Sequence, residues 1–149
     1  MTGERRKLNG LSEIYRFFRE NATPIYFVSP TAYNLLGIDE WVNGFRYICY
    51  FDSFDGAHGH VMVPTHAGPR EFDTFESVNT YLLSHKEVVD HIAANGPGKV
   101  LFVMFDEDTE RLAHELGLEI ALPPRTLRER IDSKIETTRL GNEAGVPSV

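Results

Sequence analysis

Residues 99–105, KVLFVMF, form an unbroken apolar run that leads directly into DEDTERLAHELG (106–117), a segment with helical periodicity and acids at its start. An apolar run without alternation marks a strand covered on both faces, and such strands belong to parallel sheets whose crossovers are helices. This pairing constrains the chain more than any other feature, because it commits the fold to a layered α/β architecture. The same alternation recurs along the sequence. PIYFVS (24–29) and FRYICYFD (45–52) read as strands, LEIALP (118–123) as a further one, and HVMVP as a short one within the irregular stretch 53–74. LSEIYRFFREN sets Leu11, Ile14, Tyr15 and Phe18 on one helical face. SPTAYNLLGIDEWV opens with Ser29 as an N-cap and Pro30 in the first turn, which predicts a helix. TFESVNTYLLSHKEVVDHIAAN (74–95) predicts one or two helices, with Thr74 and Ser77 as caps and GPG (96–98) closing them. Gly117 ends the helix after the strongest strand.

The expected fold is therefore α/β, a three-layer Rossmann-like open sheet, mainly parallel, with helices on both faces. Ligands of such sheets gather at the carboxyl ends of the strands. That directs attention to Ser29, to residues 52–60, to 105–108 and to 122–124. A length of 149 residues suits one domain with a real core. No apolar run reaches the ~18 residues of a membrane span, and no apolar signal region follows the basic start, so a cytoplasmic protein without membrane partners is expected.

The single cysteine, Cys49, excludes a disulfide framework and reads as a buried structural thiol rather than a nucleophile. A net charge of −7 argues against nucleic-acid partners. That charge is uneven. Residues 21–124 hold five basic and fifteen acidic side chains, a net of −10, whereas both ends are slightly positive. A phosphate site is thus better accommodated at an end than in the middle.

A dinucleotide fingerprint fails, because FVSPTAYNLLG offers Gly37 alone where a tight pyrophosphate turn needs several glycines. The loop containing DGAHGH brings Asp55, His58 and His60 close in sequence, with His66 downstream, and all four are competent zinc ligands. Their spacing matches no structural zinc pattern, and Gly56 and Gly59 make the segment a loop, so no metal site is assigned. A loop bordering a ligand pocket and a plain exposed connection both stay open. Ser29, Asp55, His58 and His60 are the candidate pocket residues. FDEDTE (105–110) offers a cluster of carboxylates to magnesium, but acids in a first helical turn are explained by the macrodipole alone. No catalytic residue is assigned, since no nucleophile–base pattern such as G-x-S-x-G is present.

The closing segment IDSKIETTRLGNEAGVPSV is locally well specified. Ser133 and Glu136 form an S-x-x-E capping box that starts a helix at Lys134, with Gly145 and Pro147 as stop signals. Lys134 runs against the dipole, which disfavours a cation in the first turn. An ammonium added to free helix N–H groups is nevertheless a good anion site. The bland alternative is a solvated lysine.

The run LGLEIALPPRTLRERIDSKIETTRLGNEAGVPSV resembles the junction between the pre-ATP-grasp domain and the ATP-grasp domain of the ATP-grasp ligase superfamily, which includes biotin carboxylases and other carboxylate–amine ligases. Leu118–Pro124, Asp132, Lys134 and Ala144–Pro147 carry the resemblance. Ser133 separates the acid from the lysine where many relatives have them adjacent, and FVSPTAYNLLG lacks the glycine-containing turn of true biotin carboxylases. The resemblance implies that residues 1–124 are a Rossmann-like pre-ATP-grasp domain and that 125–149 are linker helices and the start of an ATP-grasp domain continuing past Val149. It implies that Lys134 contacts ATP phosphates. ATP and magnesium would be bound by the full-length protein, with none expected in this fragment. Small carboxylate and amine substrates, together with the rest of the ligase, are the implied partners. A homodimer stays open. The alternative is a stand-alone Rossmann-like ligand-binding or interaction module without catalysis.

Overall fold

The computed structural model describes residues 7–53, 58–68 and 70–146. Five parallel strands form one sheet in the order β3-β2-β1-β4-β5. They are β1 (Ile25–Ser29), β2 (Phe45–Cys49), β3 (Val61–Met62), β4 (Lys99–Phe102) and β5 (Glu119–Ile120). The chain winds outward from β1 to one edge, then crosses to the other side through β4. This puts the topological switch point between β1 and β4, where crevices for ligands form.

Helices α1 (Leu11–Arg19), α2 (Phe75–Ser84), α3 (Lys86–Asn95), α4 (Glu107–Glu115), α5 (Arg125–Asp132) and α6 (Lys134–Glu143) complete the described elements, with two short 3₁₀ turns. The strand residues divide by parity. Tyr26, Val28, Ile48, Val100 and Phe102 point to one face and pack with Val78, Leu82 and Leu83 of α2, Val88 and Ile92 of α3, and Ala113 of α4. Phe27, Phe45, Tyr47 and Cys49 point to the other face, which Ala32, Leu35, Leu36, Ile38 and Val42 cover from the 3₁₀ layer. The chain is thus a three-layer α/β sandwich around an all-parallel sheet. Both faces of β1 and β2 are covered, which is why their sequences show no alternation.

Segment 29–42 departs from its expected helix. Only Tyr33–Leu35 and Ile38–Glu40 are helical, both as 3₁₀ turns. Ser29 is fully buried as the last residue of β1, and its hydroxyl donates to the Thr31 carbonyl instead of accepting from a helix N–H. Gly37 takes φ +95°, a left-handed conformation that ends the first turn. The expected strand at 45–52 stops at Cys49, because the Tyr50 and Phe51 amides turn away to the Pro30 carbonyl at 3.2 and 2.9 Å.

The caps mostly follow the sequence. Thr74 and Ser77 form a reciprocal capping box at α2. His85 is extended, separates α2 from α3, and caps α3 by accepting from the Glu87 amide. Gly117 and Gly145 adopt positive φ after α4 and α6. The box expected at α6 is half made. Ser133 accepts from the Glu136 amide at 3.5 Å, while the Glu136 carboxylate is taken by Arg139 at 2.7 Å and Arg130 at 3.4 Å. Pro147 lies outside the described residues. No helix among the described residues is long and apolar enough to cross a membrane.

Candidate functional site at the carboxyl edge of the sheet

Three strand ends converge on a cleft of about 420 Å³. Pro30 follows β1, Phe51 follows β2 and Met104 follows β4 on its walls, while the start of α2 contributes Phe72, Asp73, Thr74, Phe75, Glu76 and Val78. This is the switch-point position, and the volume suits a small organic molecule. Its back wall is pinned by Asn79, a fully buried side chain of α2 whose amide donates to the Met104 carbonyl at 2.7 Å. The Asn79 Oδ1 has no hydrogen-bond partner among the described residues.

Beside the cleft, the loop after β3 is locked by His66. Its Nε2 donates to the Tyr50 carbonyl at 2.9 Å, so in the neutral ring Nδ1 accepts from the Tyr81 hydroxyl at 3.0 Å. Tyr50 stacks against His66 at 4.1 Å and meets Phe72 edge-on at 5.0 Å. An aromatic cluster therefore anchors His66 to Tyr50 and Tyr81, and through Phe72 it also fixes one wall of the cleft.

Arg128 of α5 reaches the same edge. Its guanidinium donates to the Phe105 carbonyl at 2.6 Å, lies 4.9 Å from the Phe105 ring centre, and faces Glu76 at 3.9 Å and Asp132 at 3.8 Å. One cation thus joins the cleft wall, the end of β4 and the residue before the Ser133 cap. Lys134 opens α6, is exposed, and has no ion pair or hydrogen bond among the described residues. Asp132 and Glu136, the carboxylates nearest in sequence, are engaged by arginines. A free ammonium at a helix N-terminus fits an anion such as a phosphate.

The other sequence candidates scatter. Ser29 lies beneath the edge and does not line the cleft. His58 is exposed. His60 sits at the start of β3 and pairs with Asp39 at 2.7 Å, on the 3₁₀ side of the sheet. Burial raises the Asp39 carboxyl, but hydrogen bonds from His60 and Tyr47 outweigh that and hold its pKa below the ordinary value. Asp55 lies outside the described residues. Among those described, no three His, Cys, Asp or Glu side chains are grouped to hold a metal ion. In FDEDTE, Asp106 caps α4, accepting from the Thr109 amide at 2.9 Å and hydroxyl at 2.8 Å. These bonds outweigh burial and, with Arg128 nearby, keep its carboxyl low.

Phe51, Phe72, Phe75, Asp73 and Arg128 escaped the sequence reading. Phe51 and Phe75 fall in an expected strand and helix and Phe72 in the irregular stretch 53–74, so none carried a local signal of a site. No protein-family model, curated protein or solved structure matches this chain.

Proposed function

We propose that this chain is the substrate-side domain of an ATP-dependent carboxylate–amine ligase of the ATP-grasp kind, and that it is inactive alone. The observation that carries the reading is the Arg128 bridge. It couples a switch-point cleft to a helix whose first residue is an uncompensated lysine. A substrate pocket, and a cation placed two residues beyond the Asp132 that Arg128 engages, suit what a ligase of this class needs from such a domain.

In the complete enzyme the carboxylate would accept the γ-phosphoryl group of ATP, giving an acyl phosphate and ADP. The amine lone pair would then form the new C–N bond, with phosphate leaving and the amine proton passing to a base. Lys134 would stabilise the transferring phosphoryl charge, an electrostatic contribution that needs only preorganisation. Magnesium, bound by the full-length protein in this reading, would supply charge neutralisation at the phosphates.

The test is made on the full-length protein. The reading expects ATP to be converted to ADP and phosphate only when a carboxylate and an amine are both supplied from a substrate panel. Release of AMP, or no ATP turnover across the panel, would overturn it.

A further inference from the structure

The cleft at the switch point has a composition that narrows what it takes. We infer that it is a subsite for an aromatic amine, a planar ring carrying a short chain that ends in an ammonium group. The inference rests on the ligase reading only in calling this molecule the acceptor; its test requires this chain alone.

The ring specificity comes from the walls. Phe51 and Phe75 are 59% and 45% exposed although each belongs to the cleft. Large aromatic side chains left open around one concavity are a recognition feature rather than scattered surface apolarity. They are also held in place. Phe75 meets Tyr33 edge-on, with ring centres 6.4 Å apart, and Phe51 meets Tyr50 at 4.9 Å and 89°. Tyr50 in turn holds Phe72. The phenylalanine walls are therefore presented with little freedom left to lose on binding. About 420 Å³ accommodates one ring and a short chain.

The sign of the charge comes from the rim. Among the described residues no Lys, Arg or His lines the cleft, whereas Asp73 and Glu76 do. Glu76 is partly compensated by Arg128 at 3.9 Å. Asp73 is exposed and has no ion pair or hydrogen bond among the described residues, so it is the charge left to a ligand. The positive end of α2 does not reverse this preference. Two of its donors are answered by Thr74 Oγ1, which accepts from the Ser77 amide at 3.1 Å, and by Ser77 Oγ, which accepts from the Thr74 amide at 3.3 Å, and the carboxylates of Asp73 and Glu76 set negative charge beside the first turn that carries the others. Aromatic faces add attraction for a cation and none for an anion.

The experiment is an NMR titration of the ¹⁵N-labelled chain with 2-phenylethylamine, 3-phenylpropionate and n-butylamine. Saturable shifts centred on residues 72–78, Phe51 and Met104 are expected with 2-phenylethylamine. Affinity for each of the other two should be lower by about fivefold or more, the scale of one exposed charge or ring contact. Phe51→Ala, at an exposed position that leaves the core intact, should weaken the amine by about fivefold. Asp73→Asn should abolish the preference for amine over carboxylate while keeping ring binding. Absence of saturable binding, equal or better binding of 3-phenylpropionate, or an unchanged affinity in Phe51→Ala would each overturn the inference. Because ATP plays no part, failure here would leave the ligase reading to its own test.

Discussion

Cys49 lies at the carboxyl end of β2 with none of its surface exposed, and burial pushes its thiol up to about 12. The Ser29 hydroxyl hydrogen-bonds it and works the other way, but too weakly to offset the loss of water, and Asp52 adds to the rise. At pH 8 only about one molecule in ten thousand would then carry the thiolate, the species that reacts. The native chain should accordingly be inert to an aromatic disulfide reagent at pH 8 and react once denatured. Equal rates in the two states would show that the thiol is accessible and the edge looser than described. The sequence already pointed to an inert thiol, since an apolar run with no nearby base is informative by itself. Ser29 was harder. A serine before S-P-x is an ordinary N-cap signal, and only the packed sheet shows its hydroxyl serving the Thr31 carbonyl and Cys49 instead. Phe51 and Phe75 were harder still, because exposure is a property of neighbours and leaves no trace in local pattern.

Among the elements, the approach of β4 to β1 is set by Gly98. A Cβ added there would stand 2.1 Å from the Pro24 carbonyl oxygen, which itself accepts from the Lys99 amide at 2.9 Å. The contact is with backbone, so relief requires prising the two strands apart. Gly98→Ala should lower stability by about 2–3 kcal/mol, the upper range for overpacking. Gly59→Ala, whose Cβ would meet nothing within 4 Å, should stay within about 0.5 kcal/mol of the parent. Denaturant midpoints compare the two, and a Gly98→Ala midpoint matching the parent would mean the strand starts are not in contact. GPG in the sequence announced only that a helix ends; the role of its last glycine depends on a strand 70 residues earlier. Strand order could be anticipated as parallel from KVLFVMF, whereas the helix expected over 29–42 gave way to 3₁₀ turns because Gly37 and the buried Ser29 act together. Periodicity registers neither.

At the scale of the molecule, the closing helices matter most. Neither α5 nor α6 has a buried residue, and Ile135 beside Lys134 is 83% exposed. The hold of α5 on the rest of the fold runs through arginines, with Arg128 on Phe105 and Glu76, and Arg125 on Glu107 and Glu110 of α4 at 3.8 and 3.7 Å. A helix pair held in this way leaves Leu127, Ile131, Ile135 and Leu140 exposed. The start of α6 was legible because Ser133 and Glu136 are local signals, but its link to the cleft was not, since it passes through Arg128 to residues far away in sequence.

The most direct measurement is the affinity of the full-length protein for magnesium–ATP, compared with that of its Lys134→Ala variant. Loss of one charge-assisted contact to phosphate should weaken binding by about 10- to 100-fold, with the fold unchanged by circular dichroism. An affinity that the substitution leaves untouched would contradict the role assigned to Lys134, and with it the ligase reading.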